Sequence, residues 1–248
     1  MKTICALIAT NSPLSSLKET IKSISSQTRK IDKLVIVNDV GNYQILDLEK
    51  ILIKSNIPYK LINNKSNKGL TKSLNIGLKY CTEDYIARAD SGDIWHPDKI
   101  KLQEELLNRN NDIICVGNQC GYFVEDINKI ISESNFPTSS QEIIQTADSI
   151  GLGIASHSSI FIRSKYLKYD NLYKRSQDLD LYLRLISSKK KLFNINKVLS
   201  YVYFDPKGIS INQKPSQLRY IYRCYHNFQC RNNKLKENKN IIKEFSIF

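Results

Sequence analysis

Acidic residues stand at three places along this chain where their spacing suits chemistry. Within YIARADSGDIWHPDKI, residues 85–100, the run Asp90-Ser91-Gly92-Asp93 sets two carboxylates three residues apart on a glycine-containing turn. Such a pair suits a hard divalent cation that keeps several waters and also grips a diphosphate. It equally suits an Asx-type turn whose acids bond only to backbone. Gln177-Asp178-Leu179-Asp180 places two more acids at the start of a helical pattern. A carboxylate there can act as general base toward a hydroxyl, or simply favour the positive end of the helix dipole. Residues two apart on a helix point to different faces, so only one of Asp178 and Asp180 can serve a given site. Asp39 ends a third stretch, the apolar run Lys33–Val37 followed by Asn38. Trp95 could stack on a ligand ring or anchor a core.

The elements that must position these residues alternate. Thr3–Ala9 is apolar enough for a central strand and is broken at Asn11-Ser12-Pro13; Leu14, Leu17, Ile21 and Ile24 then recur at helical spacing. Lys33–Val37 is a second strand, ending at Asn38-Asp39-Val40-Gly41, and Ile45, Leu48, Ile51 and Leu52 mark the next helix. Tyr59–Ile62 is a short third strand leading through a polar turn to Gly69, after which Leu70, Leu74, Ile76 and Leu78 continue as a helix. Tyr85–Ala89 is the fourth strand, and Pro97 precedes a helix from Lys99 to about Arg109, in keeping with proline's place at helix starts. This β-α-β-α-β-α-β order predicts an α/β fold with a mostly parallel sheet and helices on both faces. Open α/β sheets bind ligands outside the carboxyl ends of their strands, which is where Ala9–Asn11, Asp39 and Asp90 fall.

Further along, Asp112–Gly117 and Gln119–Val124 read as short strands around Gly117, and residues 125–150 as a loop passing over the site. Ser158–Ile162 reads as a strand, Leu179, Leu183 and Ile186 as a helix, and Leu192–Ile195 and Val198–Phe204 as strands. From Gln217 the pattern is helical and mixes aromatic with basic residues: Tyr220, Tyr222, Arg223, Tyr225, Phe228, Arg231, Lys234. No boundary is visible before about residue 205, which divides the chain into a domain at 1–205 and a basic helical tail at 206–248. No G-x-G-x-x-G fingerprint follows the first strand, and Gly151-Leu152-Gly153 lacks the third glycine.

The formal net charge over 248 residues is +13, and residues 201–248 are the most basic part, with nine Lys/Arg against three Asp/Glu. Excess positive charge points to polyanionic partners such as nucleotide phosphates or anionic lipid. The scattered aromatics and the absence of an RNA-binding motif argue against nucleic acid. Six cysteines without C-x-x-C spacing and three histidines argue against zinc and fit a reducing, cytoplasmic setting. The apolar stretch Ile4–Ala9 is shorter than a signal peptide needs, and no run approaches the ~18–20 apolar residues of a membrane span.

With these pieces placed, residues 3 to about 210 resemble the family-2 inverting glycosyltransferases of the GT-A fold, of the bacterial polysaccharide and lipopolysaccharide type. Ile4–Asn11 looks like the family's opening strand and turn, and Val35–Asp39 like its nucleobase-binding strand end, with Asp39 as the carboxylate. Asn67-Lys68-Gly69-Leu70 through Asn75 looks like its N-x-G-x-x-x-A-R-N helix start, and Tyr85–Pro97 like its D-x-D strand and turn. Gln177–Arg184 looks like its E-D-x-D-L-x-L-R segment. The chain departs from the pattern at Gly92, where the second D-x-D acid falls, at Leu74, where many members carry an arginine toward the diphosphate, and at Gln177, which replaces a glutamate. Without a Q-x-x-R-W motif, the resemblance implies a non-processive transferase.

The resemblance implies roles for residues in this numbering. Ala9, Thr10, Asn11, Asp39, Asn67, Gly69, Lys72 and Asp90 would bind a nucleotide-diphosphate sugar; Asp90 and Asp93 would hold Mn²⁺ or Mg²⁺. Asp178 would be the general base, and Trp95, His157 and Gln177 would stand on the acceptor side. Residues 1–100 would form the nucleotide-binding half and residues 101–205 the acceptor half. The acceptor would be a glycan or lipid-linked glycan in cell-surface polysaccharide or lipopolysaccharide assembly. Residues 217–236 would then sit on an anionic membrane surface, the inner face of the cytoplasmic membrane, or pack as a helix on the domain through Tyr222 and Tyr225. The alternative function is a non-catalytic sugar-nucleotide or glycan-binding module with a degenerate metal turn, a reading that Gly92 and Leu74 support.

Overall fold

The computed structural model describes residues 1–39, 45–149, 153–204 and 214–232. Val40-Gly41, Gly151-Leu152, the boundary near residue 205, and Lys234 with the rest of the tail past residue 232 lie outside the described residues.

The run Ile4–Thr10 forms β1, buried at every position, which is why it reads as apolar without alternation. Its period of two is hidden in the packing. Cys5, Leu7 and Ala9 face one core cluster, while Ile4, Ala6 and Ile8 face the other. Around it lie β2 (Lys33–Asn38), β3 (Tyr59–Asn63) and β4 (Tyr85–Ala89), in the spatial order β3-β2-β1-β4 with every pair parallel. The crossover helices are α1 (Leu14–Ser25), α2 (Ile45–Ser55) and α3 (Leu70–Leu78). Strand order therefore reverses at β1, with β2 on one side and β4 on the other, and the crevice of an open α/β sheet forms at such a point.

Beyond β4 the sheet becomes mixed. It continues β4-β8-β6-β9-β5, with β5 (Ile94–Trp95), β6 (Ile113–Phe123), β8 (Phe161–Arg163) and β9 (Lys191–Tyr203); β7 (Ser132–Glu133) pairs with β6 off this path. β8 runs antiparallel to both β4 and β6, and β5 runs antiparallel to β9. The two short strands expected at 112–124 are one strand, and so are the two at 192–204; register shifts at Asn118/Gln119 and Gln119/Cys120 mark the irregularity that made them look separate. The expected strand at Ser158–Ile162 is instead a 3₁₀ turn, His157–Ser159, followed by β8.

Further differences concern helices. After α4 (Lys99–Asn108), the stretch expected to be loop contains α5 (Ser140–Asp148). Its start is fixed by a capping box in which Ser139 Oγ accepts the Glu142 N–H and the Glu142 carboxylate accepts the Ser139 N–H. α6 spans Gln177–Ser187 and α7 spans Lys214–Arg231, three residues earlier than the pattern suggested. The buried apolar residues of α7, Ile221, Cys224, Tyr225 and Phe228, recur at helical spacing and join the same cluster as Cys5, Leu7, Leu181 and Leu185. The aromatic side of the tail helix is thus core.

Candidate active site

The carboxyl ends of β1 and β2 and the start of α3 enclose a cleft of about 350 Å³, lined among others by Ala9, Thr10, Asn11, Asp39, Asn67, Gly69 and Asp90. Seven of the eight residues expected to bind nucleotide therefore meet in one place. Lys72 does not line it; it is exposed on the first turn of α3. Leu70, Ser73, Ser12 and Ser91 complete the wall. Asp39 builds this cleft. Its Oδ1 accepts the Lys68 N–H and the Asn64 side-chain amide, each at 2.8 Å, and its Oδ2 accepts the Gly69 N–H at 2.8 Å. A buried carboxylate thus satisfies orphan donors at the entry to α3. Gly69 has φ +80, a conformation that a side chain resists.

The acidic turn is pinned from α1. Thr20 Oγ1 accepts the Gly92 N–H at 2.9 Å, and Ser23 Oγ accepts the Trp95 N–H at 3.1 Å. Gly92 has φ +102, and a Cβ there would meet Tyr203 Cβ at 3.4 Å. The glycine in place of the family's second acid is therefore a backbone requirement of this turn, which places Asp93 instead. Asp90 lines this cleft and also a second lobe of about 510 Å³, shared with Asp93, Ser12, Ser16, Ser156 and Ser158.

Polar groups on this turn are under-used. Of seven buried side-chain N or O atoms without a hydrogen-bond partner among the described residues, four belong to Arg88, Ser91, Asp93 and Trp95. Asp93 Oδ1 accepts the Tyr203 N–H at 3.3 Å while Oδ2 has no partner. Burial pushes the Asp93 carboxyl up to about 8, and Asp90 beside it adds to the rise. Burial opposes the charge of Asp90 too, but the Arg88 guanidinium and His157 together more than offset it, and the Asp90 pKa lies below the ordinary value. Two adjacent carboxylates, one with an orphaned oxygen, fit a hard divalent cation completed by substrate phosphates and water. No group of three or more His, Cys, Asp or Glu is placed for a metal among the described residues.

On α6, Asp178 and Asp180 part company. Asp180 is 1% exposed; its Oδ2 accepts Arg184 Nε at 2.8 Å, and its Oδ1 lies 4.0 Å from Arg231 Nη2 on α7. Asp178 is half-buried, and no hydrogen bond or ion pair engages it among the described residues. His157 and Tyr169 both feel the charges of Asp90 and Asp178, so these two carboxylates act on the same interior pair. Ser176, just before α6, takes φ 54, a left-handed conformation uncommon for a residue with a side chain.

Three acceptor-side expectations fare differently. Trp95 is 2% exposed, packed in the core cluster with Ile21 and Ile100, its ring under Lys99 Nζ at 4.1 Å; it is a core anchor and cannot stack on a sugar. His157 Nε2 bonds Tyr169 Oη at 2.8 Å, and burial, with Arg88 nearby, lowers its pKa to about 4, so it stands neutral beside the site. Gln177 is buried at the first position of α6. Leu74 is 0% exposed within the core, and neither Lys68 nor Lys72 lines the cleft. The residue that sequence reading missed is Arg88. It is fully buried and ion-paired with Asp90. A lone arginine inside an apolar strand was the signal, since a buried charge needs a partner and residues two apart on a strand share a face.

A cleft at the sheet's switch point with an acidic turn beside it is the kind of crevice in which open α/β sheets bind ligands. The chain belongs to glycosyl transferase family 2, whose model matches residues 5–169. It is 27% identical to an uncharacterized glycosyltransferase of Haemophilus influenzae over 210 residues, 84% of this chain and 78% of that protein. Amylovoran biosynthesis glycosyltransferase AmsE of Erwinia amylovora is 25% identical over 75% of this chain and 70% of its own length. Among solved structures, S. aureus TarS 1-349 in complex with UDP superposes with a TM-score of 0.63 at 14% identity, over 90% of this chain and 65% of that one. Mannosyltransferase PcManGT from Pyrobaculum calidifontis, in complex with GDP-Man and Mn²⁺, gives 0.67 at 10% identity, over 90% of this chain and 63% of that one. The chain spans just under two thirds of both solved proteins. These likenesses show the GT-A fold, and the family makes the protein a glycosyltransferase.

Proposed function

We propose that the protein moves one sugar from a nucleotide-diphosphate sugar to a hydroxyl of a glycan or lipid-linked glycan, with inversion, in cell-surface polysaccharide assembly. The observation that carries the reading is the division of labour on α6, where Asp180 is consumed by Arg184 and Arg231 while Asp178 is left unengaged among the described residues, its charge acting on His157 together with that of Asp90. Asp178 takes the proton of the attacking hydroxyl, the new bond forms at the anomeric carbon, and the diphosphate leaves from the opposite face with the bonding electrons. Strand-end groups at Ala9–Asn11 and Asp39 hold the nucleoside end. Asp90 and Asp93 would hold Mn²⁺ or Mg²⁺, which as a Lewis acid neutralises the leaving charge. UDP and GDP-Man in the solved relatives support a nucleotide-sugar donor, and the name of AmsE supports a polysaccharide product. No helix of the described residues is long and apolar enough to cross a membrane. Among the described residues, a tail resting on anionic lipid would use the exposed basic residues of α7, Arg219, Arg223 and Arg231, because Tyr225 and Phe228 are committed to the core.

The test is incubation with UDP- and GDP-hexoses, with Mn²⁺ or with EDTA, following nucleotide release and the anomer of any product. Metal-dependent release, accelerated by a glycan acceptor and giving the inverted anomer, is expected. A donor that binds but is never cleaved, with water or with any acceptor, would establish the binding-module reading instead.

A further inference from the structure

Arg88 is the largest fully buried side chain among the described residues, at 0% exposure, yet it sits two residues from a carboxylate that keeps 42% of its side-chain surface. Its Nη2 donates to Asp90 Oδ1, its Nη1 lies 3.5 Å from the Leu7 carbonyl on β1, and its Nε is buried without a partner. A guanidinium in such a place is costly unless its carboxylate partner is held in good geometry. Arg88 lines neither lobe of the site, so it does not itself touch a donor bound there.

We propose that Arg88 is a positioning residue of the donor site: from beneath the turn it grips one oxygen of Asp90 and thereby aims the other into the cleft. The planar fork matters here, because it can reach the Asp90 carboxylate and the β1 carbonyl together, whereas an ammonium on a lysine stem is a single point charge. Arg88 also changes the charge of the turn. The Arg88–Asp90 pair is neutral as a unit. The inference rests on Asp90 belonging to the donor site.

A double-mutant cycle separates this role from a structural one. The affinities of UDP and GDP, each with Mn²⁺, are measured by calorimetry for wild type, Arg88→Met, Asp90→Asn and the double variant, with melting temperatures alongside. Arg88→Met is expected to weaken the bound nucleotide tenfold or more in the wild-type background and less than twofold once Asp90 is Asn. Arg88→Lys, which keeps the charge and guards against loss of fold in the methionine variant, is expected to fall between wild type and Asp90→Asn. Equal losses in both backgrounds, or a folded Arg88→Met or Arg88→Lys protein with wild-type affinity, would overturn the proposal. Wild-type affinity in Asp90→Asn, or no binding of either nucleotide to wild type, would overturn the donor-site reading beneath it.

Discussion

Asp39 and Asp93 both end up buried at strand ends beside the cleft, and their surroundings could hardly differ more. Asp39 has three N–H donors on its two oxygens, drawn from Asn64, Lys68 and Gly69. Asp93 has one oxygen on the Tyr203 amide, and its other oxygen meets no donor in hydrogen-bond geometry, with the Ser158 hydroxyl near enough to ease its charge. The contrast recurs on α6, where Asp180 lies between Arg184 and Arg231 and Asp178 has no such partner among the described residues. A carboxylate whose two oxygens are both engaged by the chain supports the scaffold first, even where, as at Asp39, it also lines the cleft. One kept short of partners inside a cleft is held for something that comes from outside, since an unfilled buried acceptor is costly and selection for stability alone would remove it.

Breaking a filled carboxylate should therefore hurt the fold first. Asp39→Ala strands the Lys68 and Gly69 amides and is expected to cost about 3 kcal/mol in urea unfolding, at roughly 1–3 kcal/mol per abandoned buried group. His157 gives an effect of comparable ceiling through pH. Its pKa drops from the ordinary 6.5 to about 4, so between those values the unfolded chain takes a proton that the folded chain refuses. Stability is full above pH 6.5 and declines as pH falls toward 4, by up to about 1.4 kcal/mol per unit. His157→Gln should flatten that arm of the stability–pH curve.

Relieving an unfilled carboxylate should do the reverse. Asp93→Asn keeps the shape, removes a carboxyl that must take up a proton to be buried at neutral pH, and is expected to raise metal-free stability by about 1–2 kcal/mol while abolishing any strengthening of nucleotide affinity by Mn²⁺. A destabilised variant with the strengthening intact would place Asp93 among the scaffold acids. The smallest effect expected is at Gly92. Restoring the family's acid there with Gly92→Asp should lower stability by about 1–2 kcal/mol through the left-handed backbone and leave Mn²⁺ affinity unimproved.

How much of this was legible in the sequence followed from how local each signal is. β1 to β4 and their helices were readable because a parallel sheet buried on both faces demands unbroken apolar runs, and crossover helices carry their own period. The cleft residues followed, since strand ends at the reversal point converge whatever the packing. Lys72 failed because one turn of helix carries a side chain out of the cleft even when its neighbours Gly69 and Ser73 line it. Trp95 failed because its burial is set by α1 and α4 closing over it, a tertiary fact with no local mark. α5 was missed although Ser139-x-x-Glu142 is a capping box in plain view, because the segment after it is short and polar. Arg88 was overlooked for the opposite reason: it was counted as part of an apolar strand instead of as the charge within it.

The central claim is that α6 offers one acid to catalysis and spends the other on the fold, and Asp178→Asn set beside Asp180→Asn tests it directly. Single-turnover transfer, nucleotide affinity and urea unfolding are measured for both. Asp178→Asn should lose on the order of 10²–10⁴ in rate, about 3–5 kcal/mol at ~1.36 kcal/mol per decade, with nucleotide affinity and stability near wild type. Asp180→Asn should transfer sugar at close to the wild-type rate per folded molecule while losing about 1–3 kcal/mol of stability, as Arg184 and Arg231 lose their anion. A dead Asp180→Asn with an active Asp178→Asn would contradict the assignment outright, and full activity in both would move the general base off this helix.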